Sequence, residues 1–426
     1  MEPALRADGS ILLRVEAIEN SGAAVRRRKL LVLNQYYWPG VEATANLLAD
    51  LCAGLAEDFE ITVVTGRVRD VPDLPAHEHH KGVEIVRVNS TAYDRRELWR
   101  RAVNYLTFIA QSFREGLRVA RPDVVLAMTD PPIIANVGLV LARRFRVPLV
   151  VVSQDVFPEI AVELNRLKNP AVISVLRAAI RYYLKRADRV VAIGDTMRRR
   201  LEEKGAVPSR VRVIPNWVDT RALQPQHGPN GWAEDNGLAD RFVVMHSGNV
   251  GHAQNLDALV RAATFLRDLD DLVIVIVGSG ARHVDLVELA QRLEVDNVRF
   301  LPYQPREVLP LSLSAADVHV VGLARRLAGY VVPSRLYGVL SVGRPVIVAA
   351  DADSETAHVV AEIGCGVVIP PGRPDLLATT IREAYDGRLP LEEMGARARA
   401  WVEKEADREV AVERYRRVLA ELVDGR

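Results

Sequence analysis

From residue 29 onward this chain repeats one succession: a short apolar run, a polar or glycine-bearing loop, then an amphipathic helical segment. After a stretch rich in proline, glycine and asparagine near residues 222–241, the same succession starts again. The apolar residues within 29–34, 148–152 and 272–277 run continuously instead of alternating, which is how a strand reads when both faces are buried in a parallel sheet. Strands that alternate with helices through short loops leave few architectures other than a doubly wound parallel sheet. The expected fold is therefore α/β, with two Rossmann-like doubly wound parallel-sheet domains facing a cleft. With 426 residues, 49% of them hydrophobic, each half can bury its own core.

Strands are expected in the first half at 29–34, 60–66, 83–88, 123–128, 148–152, 188–193 and 211–214. Those of the second half fall at 242–246, 272–277, 298–301, 317–321 and 365–369. A helix with Leu47, Leu48, Leu51 and Leu55 on one face follows the first strand, and a long arginine-rich helix spans about 95–120. The last helices lie near 374–386 and 408–423. These spans divide the chain into an arm (1–27), a first α/β domain (28–222), a linker (223–241), a second α/β domain (242–405) and a terminal helix (406–426) with the option of crossing back to the first domain.

Several classes are excluded or disfavoured. A net charge of +1 gives no global reason to expect nucleic acid as a partner. Cys52 and Cys365 stand far apart without metal-ligand spacing; they read as small core residues and fit a reducing cytoplasm. Residues 1–27 lack the apolar stretch of a signal peptide, and no apolar run reaches the length of a membrane span. Gly278-Ser279-Gly280 has no third glycine at the offset of a dinucleotide fingerprint, which argues against a dehydrogenase.

Residues 329–348 gather the most chemistry. Pro333 and Ser334 mark a helix start, Leu336, Val339 and Leu340 share one face, and Gly343 followed by Pro345 ends the helix before a β-branched run. Free amides, the Ser334 hydroxyl and the Arg335 guanidinium would converge on one point suited to a phosphate. The same residues also describe an ordinary capped helix with a solvated arginine. Gly248 to Gly251 is a second strand-to-helix turn where backbone can approach an anion, or simply a tight turn. Ligands of such sheets bind at the carboxyl ends of strands, where Asp130, Asp155 and Glu159 lie. Asp155, directly after an apolar strand, is the preferred base; each of the three also suits a helix start or a surface acid. Glu355 is a candidate for a sugar or ribose hydroxyl, or a helix-start acid.

In this order, several motifs resemble those of the GT-B-fold family 4 glycosyltransferases, closest to bacterial members from capsule, colanic-acid and O-antigen clusters. They are Asn34-Gln35-Tyr36-Tyr37-Trp38-Pro39, residues 187–193, residues 213–219, Gly248-Asn249-Val250-Gly251, residues 277–280, Phe300-Leu301-Pro302-Tyr303, residues 315–317 and Pro333-Ser334-Arg335-Leu336-Tyr337. The resemblance covers about residues 29–420. It implies a retaining transfer of a sugar from a nucleoside-diphosphate sugar to a hydroxyl of a sugar or lipid-linked acceptor, with no metal and no cofactor. Gly248, Asn249, Gly251, Ser334, Arg335 and Leu336 would hold the diphosphate. Gly329, Tyr330 and Val331 would lie against the sugar, and Gly278, Phe300 and Tyr303 against the nucleoside. Trp38, Pro39, Gly40 and Asp130 fall on the acceptor side.

The chain departs from the family pattern where many members carry two glutamates: Tyr330 and Gly338 occupy those places. Asn249 and Gln254 replace a usual arginine and lysine, which shifts phosphate binding onto Arg335, with His252, Arg325 or Arg326 as helpers. Two alternatives share the architecture: a nucleotide-sugar epimerase and a non-catalytic partner subunit. The expected location is the cytoplasm, with peripheral contact at the inner face of the membrane as an open option. That option rests on Arg95, Arg96, Arg100, Arg101, Arg114 and Arg118 among Leu98, Trp99, Val103, Tyr105, Leu106 and Ile109; the same pattern fits a helix packed on the sheet with a solvated face.

Overall fold

The computed structural model describes residues 27–424 except 41, 69, 70, 72 and 90–97, and only the backbone of 98–102. The expected N-terminal arm, apart from Arg27, lies outside the described residues, as do Arg95 and Arg96.

Among the described residues the chain forms two sheets, built as the apolar runs predict. The first comprises β1 (Arg28–Leu33), β2 (Phe59–Gly66), β3 (His77–His80), β4 (Val83–Val88), β5 (Val124–Ala127), β6 (Leu149–Ser153), β7 (Arg189–Ala192) and β8 (Val211–Val213). Their spatial order is β3-β4-β2-β1-β5-β6-β7-β8. All pairings are parallel except β3 with β4. The second sheet comprises β9 (Phe242–Ser247), β10 (Leu272–Val277), β11 (Val298–Leu301), β12 (Val318–Gly322), β13 (Val346–Ala349) and β14 (Gly366–Ile369). It is parallel throughout, in the order β11-β10-β9-β12-β13-β14.

The unanticipated β3, His-Glu-His-His, has no apolar run to announce it. Its place is set by pairing with β4 and by contacts made at a distance. The Trp38 ring stacks on His80 at 3.8 Å. Arg87, on β4 and nearly fully buried, bonds Glu78 at 2.6 Å and the carbonyls of Pro75 and Trp38.

Helices cover both faces of the first sheet. The Leu98–Gly116, Ile134–Phe145 and Pro170–Leu184 helices bury Phe108, Leu139 and Tyr183 in one cluster. On the opposite face the Ala43–Leu55 helix buries its four leucines, and the C-terminal Arg408–Asp424 helix joins it there through Val412, Tyr415 and Leu419. Asp407, just before that helix, accepts from the Thr220 hydroxyl at 2.6 Å. A helix at Leu391–Glu405 was not expected, because it buries only Gly395, Ala398 and Val402 and so carries little apolar periodicity. Gly395 is required there: an added Cβ would sit 2.1 Å from the Gly343 carbonyl oxygen.

Two buried imidazoles give the fold an acid sensitivity. His319 on β12 contacts the Leu313 carbonyl through Nε2 at 2.9 Å, and burial lowers it from 6.5 to about 4. His246 is fully buried at the end of β9; burial first, then the charge of Arg335, hold it well below its ordinary value. For each, the unfolded chain binds a proton before the folded one does. Their contribution to stability is therefore present above about pH 6.5 and is lost as pH drops toward the folded values. His319→Gln is expected to reduce the slope of unfolding free energy over this window by about one proton, or about 1.4 kcal/mol per pH unit. Denaturant titrations at a series of pH values measure it, and an unchanged slope would contradict the assignment.

Candidate active site

Each sheet reverses its winding direction once, and both reversals lie beside residues singled out from the sequence. In the first sheet the reversal falls between β1 and β5, so the loops after these strands flank a crevice. They are tied together by the Gln35 amide donating to the Asp130 carbonyl at 2.8 Å. Trp38, Pro39 and Gly40 belong to the first loop and Asp130 to the second. In the second sheet the reversal falls between β9 and β12. The turn 248–251 follows β9, and the Arg335–Ser341 helix follows β12.

At this second reversal Arg335, His246 and Gly248 come together. The guanidinium lies across Gly248, its carbon 3.7 Å from where a Cβ would stand. Nη1 of Arg335 reaches Nε2 of His246 at 2.6 Å. Nδ1 of His246 faces the Val320 carbonyl at 3.2 Å. A carbonyl can only accept, so the tautomer with its proton on Nδ1 serves Val320 and lets Nε2 accept from Arg335. A neutral, buried histidine thus holds a half-buried arginine in one orientation. Burial pulls the guanidinium down to about 10, which leaves it charged at neutral pH. His246 was not singled out from the sequence; its only signal was a histidine ending an otherwise apolar strand beside a glycine turn.

The backbone donors expected around this point are mostly engaged. Gly248 N donates to Val277 O at 2.9 Å and Val250 N to Ser279 O at 2.8 Å. Gly251 N donates to Oε1 of Gln254 at 2.9 Å. At the helix start Ser334 is already in the right-handed helical region and makes no side-chain cap bond, contrary to expectation. Leu336 N donates to Pro333 O at 3.2 Å, and the Leu336 side chain is buried. What the structure presents at this point is therefore the Arg335 guanidinium, beside Asn249, more than a cradle of amides. The expected helpers point elsewhere: Arg326 pairs with Glu163 at 3.0 Å, Arg325 donates to the Pro371 carbonyl, and His252 meets Arg166 at 3.1 Å.

The loop expected against the sugar is joined to the first domain. Val331 forms an antiparallel bridge with Asp155, and Val156 N donates to the Tyr330 carbonyl at 2.8 Å. The Tyr330 ring lies under the Arg200 guanidinium at 5.0 Å. Gly329, at φ +77°, abuts the Thr196 carbonyl, where a Cβ would come within 2.9 Å. The Glu355 carboxylate spans the same gap, accepting from Thr196 N at 2.9 Å and from its hydroxyl at 3.0 Å. In this conformation Glu355 is thus engaged by a helix start in the first domain. Asp155 is half-buried at the end of β6, next to this junction. Glu159 is ion-paired to Arg177 at 3.0 Å and to Lys204; burial raises its carboxyl, yet the Lys204 contact leaves it below its ordinary value. That pairing occupies both carboxylate oxygens of Glu159.

The residues expected at the nucleoside divide. Tyr303 is exposed after β11, whereas Phe300 is half-buried against His283. Gly278 has a packing reason of its own, since an added Cβ would lie 2.0 Å from the Gly248 carbonyl oxygen. Among the residues expected on the acceptor side, Trp38 has one face covered by His80. Nearby strand ends carry polar atoms that sequence reading passed over. Gln35 Oε1, Ser153 Oγ and Gln154 Nε2 are buried without a partner among the described residues. Buried polar atoms of this kind are completed by ordered water or by a polar ligand.

Residues 40–217 match the family described as Glycosyl transferase 4-like domain, and residues 232–401 match Glycosyl transferases group 1. The chain is 30% identical over 252 residues to the putative colanic acid biosynthesis glycosyl transferase WcaI of Escherichia coli, covering 58% of this chain and 61% of WcaI, under two thirds of its length. It is 26% identical over 302 residues to the probable glycosyltransferase WbjE of Pseudomonas aeruginosa, covering 70% of this chain and 74% of WbjE. Among solved structures, HepE from Anabaena, determined in complex with UDP, superposes with a TM-score of 0.72 at 17% identity, covering 92% of this chain and all of HepE. At that identity the likeness speaks for the fold, which is GT-B. With both halves of the chain matched, in order, by these two domain models, the chain belongs to the glycosyltransferase family of these two domain types.

Proposed function

We propose that the protein is a retaining glycosyltransferase that moves a sugar from a nucleoside-diphosphate sugar to an acceptor hydroxyl in bacterial polysaccharide or glycoconjugate synthesis. The observation that carries this is the Arg335 guanidinium held by His246 across Gly248, at the reversal point of the second sheet. As the bond between sugar and diphosphate breaks, the leaving oxygens gain charge. A positioned guanidinium in a partly buried site favours that state over the ground state. Retention of configuration is carried over from the family resemblance.

In this proposal Asp155 acts on the acceptor hydroxyl, and the loops bearing Gln35, Trp38, Asp130 and Gln154 form the acceptor side. HepE has been solved with UDP-glucose, and the name of WcaI places it in colanic acid biosynthesis; both support a nucleotide-sugar donor here. Cys52 and Cys365 are buried free thiols, which supports work in the reducing cytoplasm.

A panel of nucleotide-sugars tested for protection from thermal unfolding should identify a donor, and that donor should then yield nucleoside diphosphate only when an acceptor is added. Interconversion of the nucleotide-sugar without diphosphate release would instead establish an epimerase. Donor binding with no turnover on any acceptor would establish a non-catalytic partner, the outcome that Tyr330 and Gly338 in the usual glutamate places would explain.

A further inference from the structure

Eleven large apolar side chains stand exposed among the described residues, and seven of them lie on or beside three neighbouring helices. Leu106 and Phe113 belong to the Leu98–Gly116 helix, Val140 to Ile134–Phe145, and Val172, Val175 and Tyr182 to Pro170–Leu184. Each helix buries its other side in the same cluster over the first sheet, so these residues share the outward face. The third helix is the most unusual. Its first ten residues, Pro-Ala-Val-Ile-Ser-Val-Leu-Arg-Ala-Ala, are predominantly apolar, yet none is buried and Val175 is 68% exposed. A helix so apolar is normally covered.

The charge around this face is of one sign. Segments 103–121, 134–146 and 165–186 hold twelve lysines and arginines and a single carboxylate, Glu115, although the whole chain has a net charge of only +1. Arg118 pairs with Glu115 and Arg177 with Glu159. Arg144, Arg181, Lys185 and Arg186 pair with no carboxylate among the described residues. Tyr182 sits within the ring of charge, with the Arg186 guanidinium 4.0 Å above its ring.

We propose that this face docks on an anionic lipid bilayer, with the start of the Pro170–Leu184 helix entering the interface and the arginines meeting the headgroups. Apolar residues amid unpaired cations, with a tyrosine at the border, match a surface that is apolar below and negative above. A second copy of the chain fits poorly, because a two-fold contact would press basic rim on basic rim. A nucleic acid would engage the arginines and leave the valines and isoleucine without a partner. The face also starts at the cleft: Arg166, four residues before the helix, touches His252 of the second domain. Docking would bring the cleft's acceptor side to the membrane surface. The proposal holds whichever sugar is transferred and does not depend on transferase activity.

Sedimentation of the full chain with phosphatidylglycerol-containing vesicles, phosphatidylcholine vesicles and no vesicles tests it, each at low and high salt. The wild type should pellet with the anionic vesicles, be released by salt, and stay in solution with the neutral ones. Val175→Asp should lower the bound fraction, and the pair Arg144→Glu and Arg181→Glu should weaken binding by at least about tenfold. All three positions are exposed, so the variants should unfold at the wild-type temperature and keep donor binding. Failure to pellet, or pelleting that ignores lipid charge and salt, would overturn the proposal. So would a concentration-dependent dimer in solution that Val175→Asp dissociates.

Discussion

Arg335→Ala is expected to lower kcat/KM for sugar transfer by roughly 10–1000-fold, the range seen when a single donor to a developing negative charge is removed. Most of the loss should fall on kcat, because the contact matters most when the diphosphate departs. The magnitude is expected to be large since the neighbouring amides of Gly248, Val250 and Gly251 already have partners and cannot take over. Arg335→Lys should recover only part of the rate, as an ammonium cannot reproduce the fork that meets both His246 and an anion. The alanine variant also removes the Nη1 contact to the buried His246 ring, at a cost of about 1–3 kcal/mol of stability, so rates must be compared below its unfolding range. Steady-state kinetics with a saturating acceptor measure the effect. Wild-type kinetics in the alanine variant would remove Arg335 from the diphosphate site.

Gly278→Ala should be the most disruptive single-methyl change near the site. The residue has φ +135°, where a side chain is strained, and its Cβ would stand 2.0 Å from the Gly248 carbonyl oxygen. That obstacle is backbone and cannot rotate away. Either the Gly248–Gly251 turn moves, carrying off the surface on which Arg335 lies, or the β10 end moves. A loss of about 2–4 kcal/mol in unfolding free energy is expected, together with more than about tenfold weaker donor binding. Gly228→Ala is the matched control: it too has positive φ, at +87°, but nothing lies within 4 Å of its added methyl. It should cost only about 1 kcal/mol. Equal destabilisation in the two variants, measured by denaturant unfolding, would refute the close-approach account.

Much of the architecture could be read along the chain because buried parallel strands are local signals. Each of the runs at 29–34, 272–277 and 317–321 carries its own apolar content and ends in its own loop. The misses share a cause. The β3 strand has four polar residues and exists because β4, Trp38 and Arg87 hold it. The Leu391–Glu405 helix buries a stripe of small residues, whose value lies in close approach to Gly343 and not in apolar area. Neither leaves a periodic trace.

The site was legible as a set of residue types and not as a set of bonds. The sequence by itself determined that two α/β halves succeed one another, that a glycine turn and an arginine-bearing helix follow strands of the second half, and that carboxylates end strands of the first. Only the tertiary structure decided that His246 orients Arg335, that Glu355 is spent on Thr196, and that Tyr330 and Val331 are joined to the Asp155 segment. The physical reason is range. Strand and helix preferences arise within a few residues, whereas a hydrogen bond is decided by which partner the folded chain brings within 3 Å, and His246 and Arg335 are 89 positions apart.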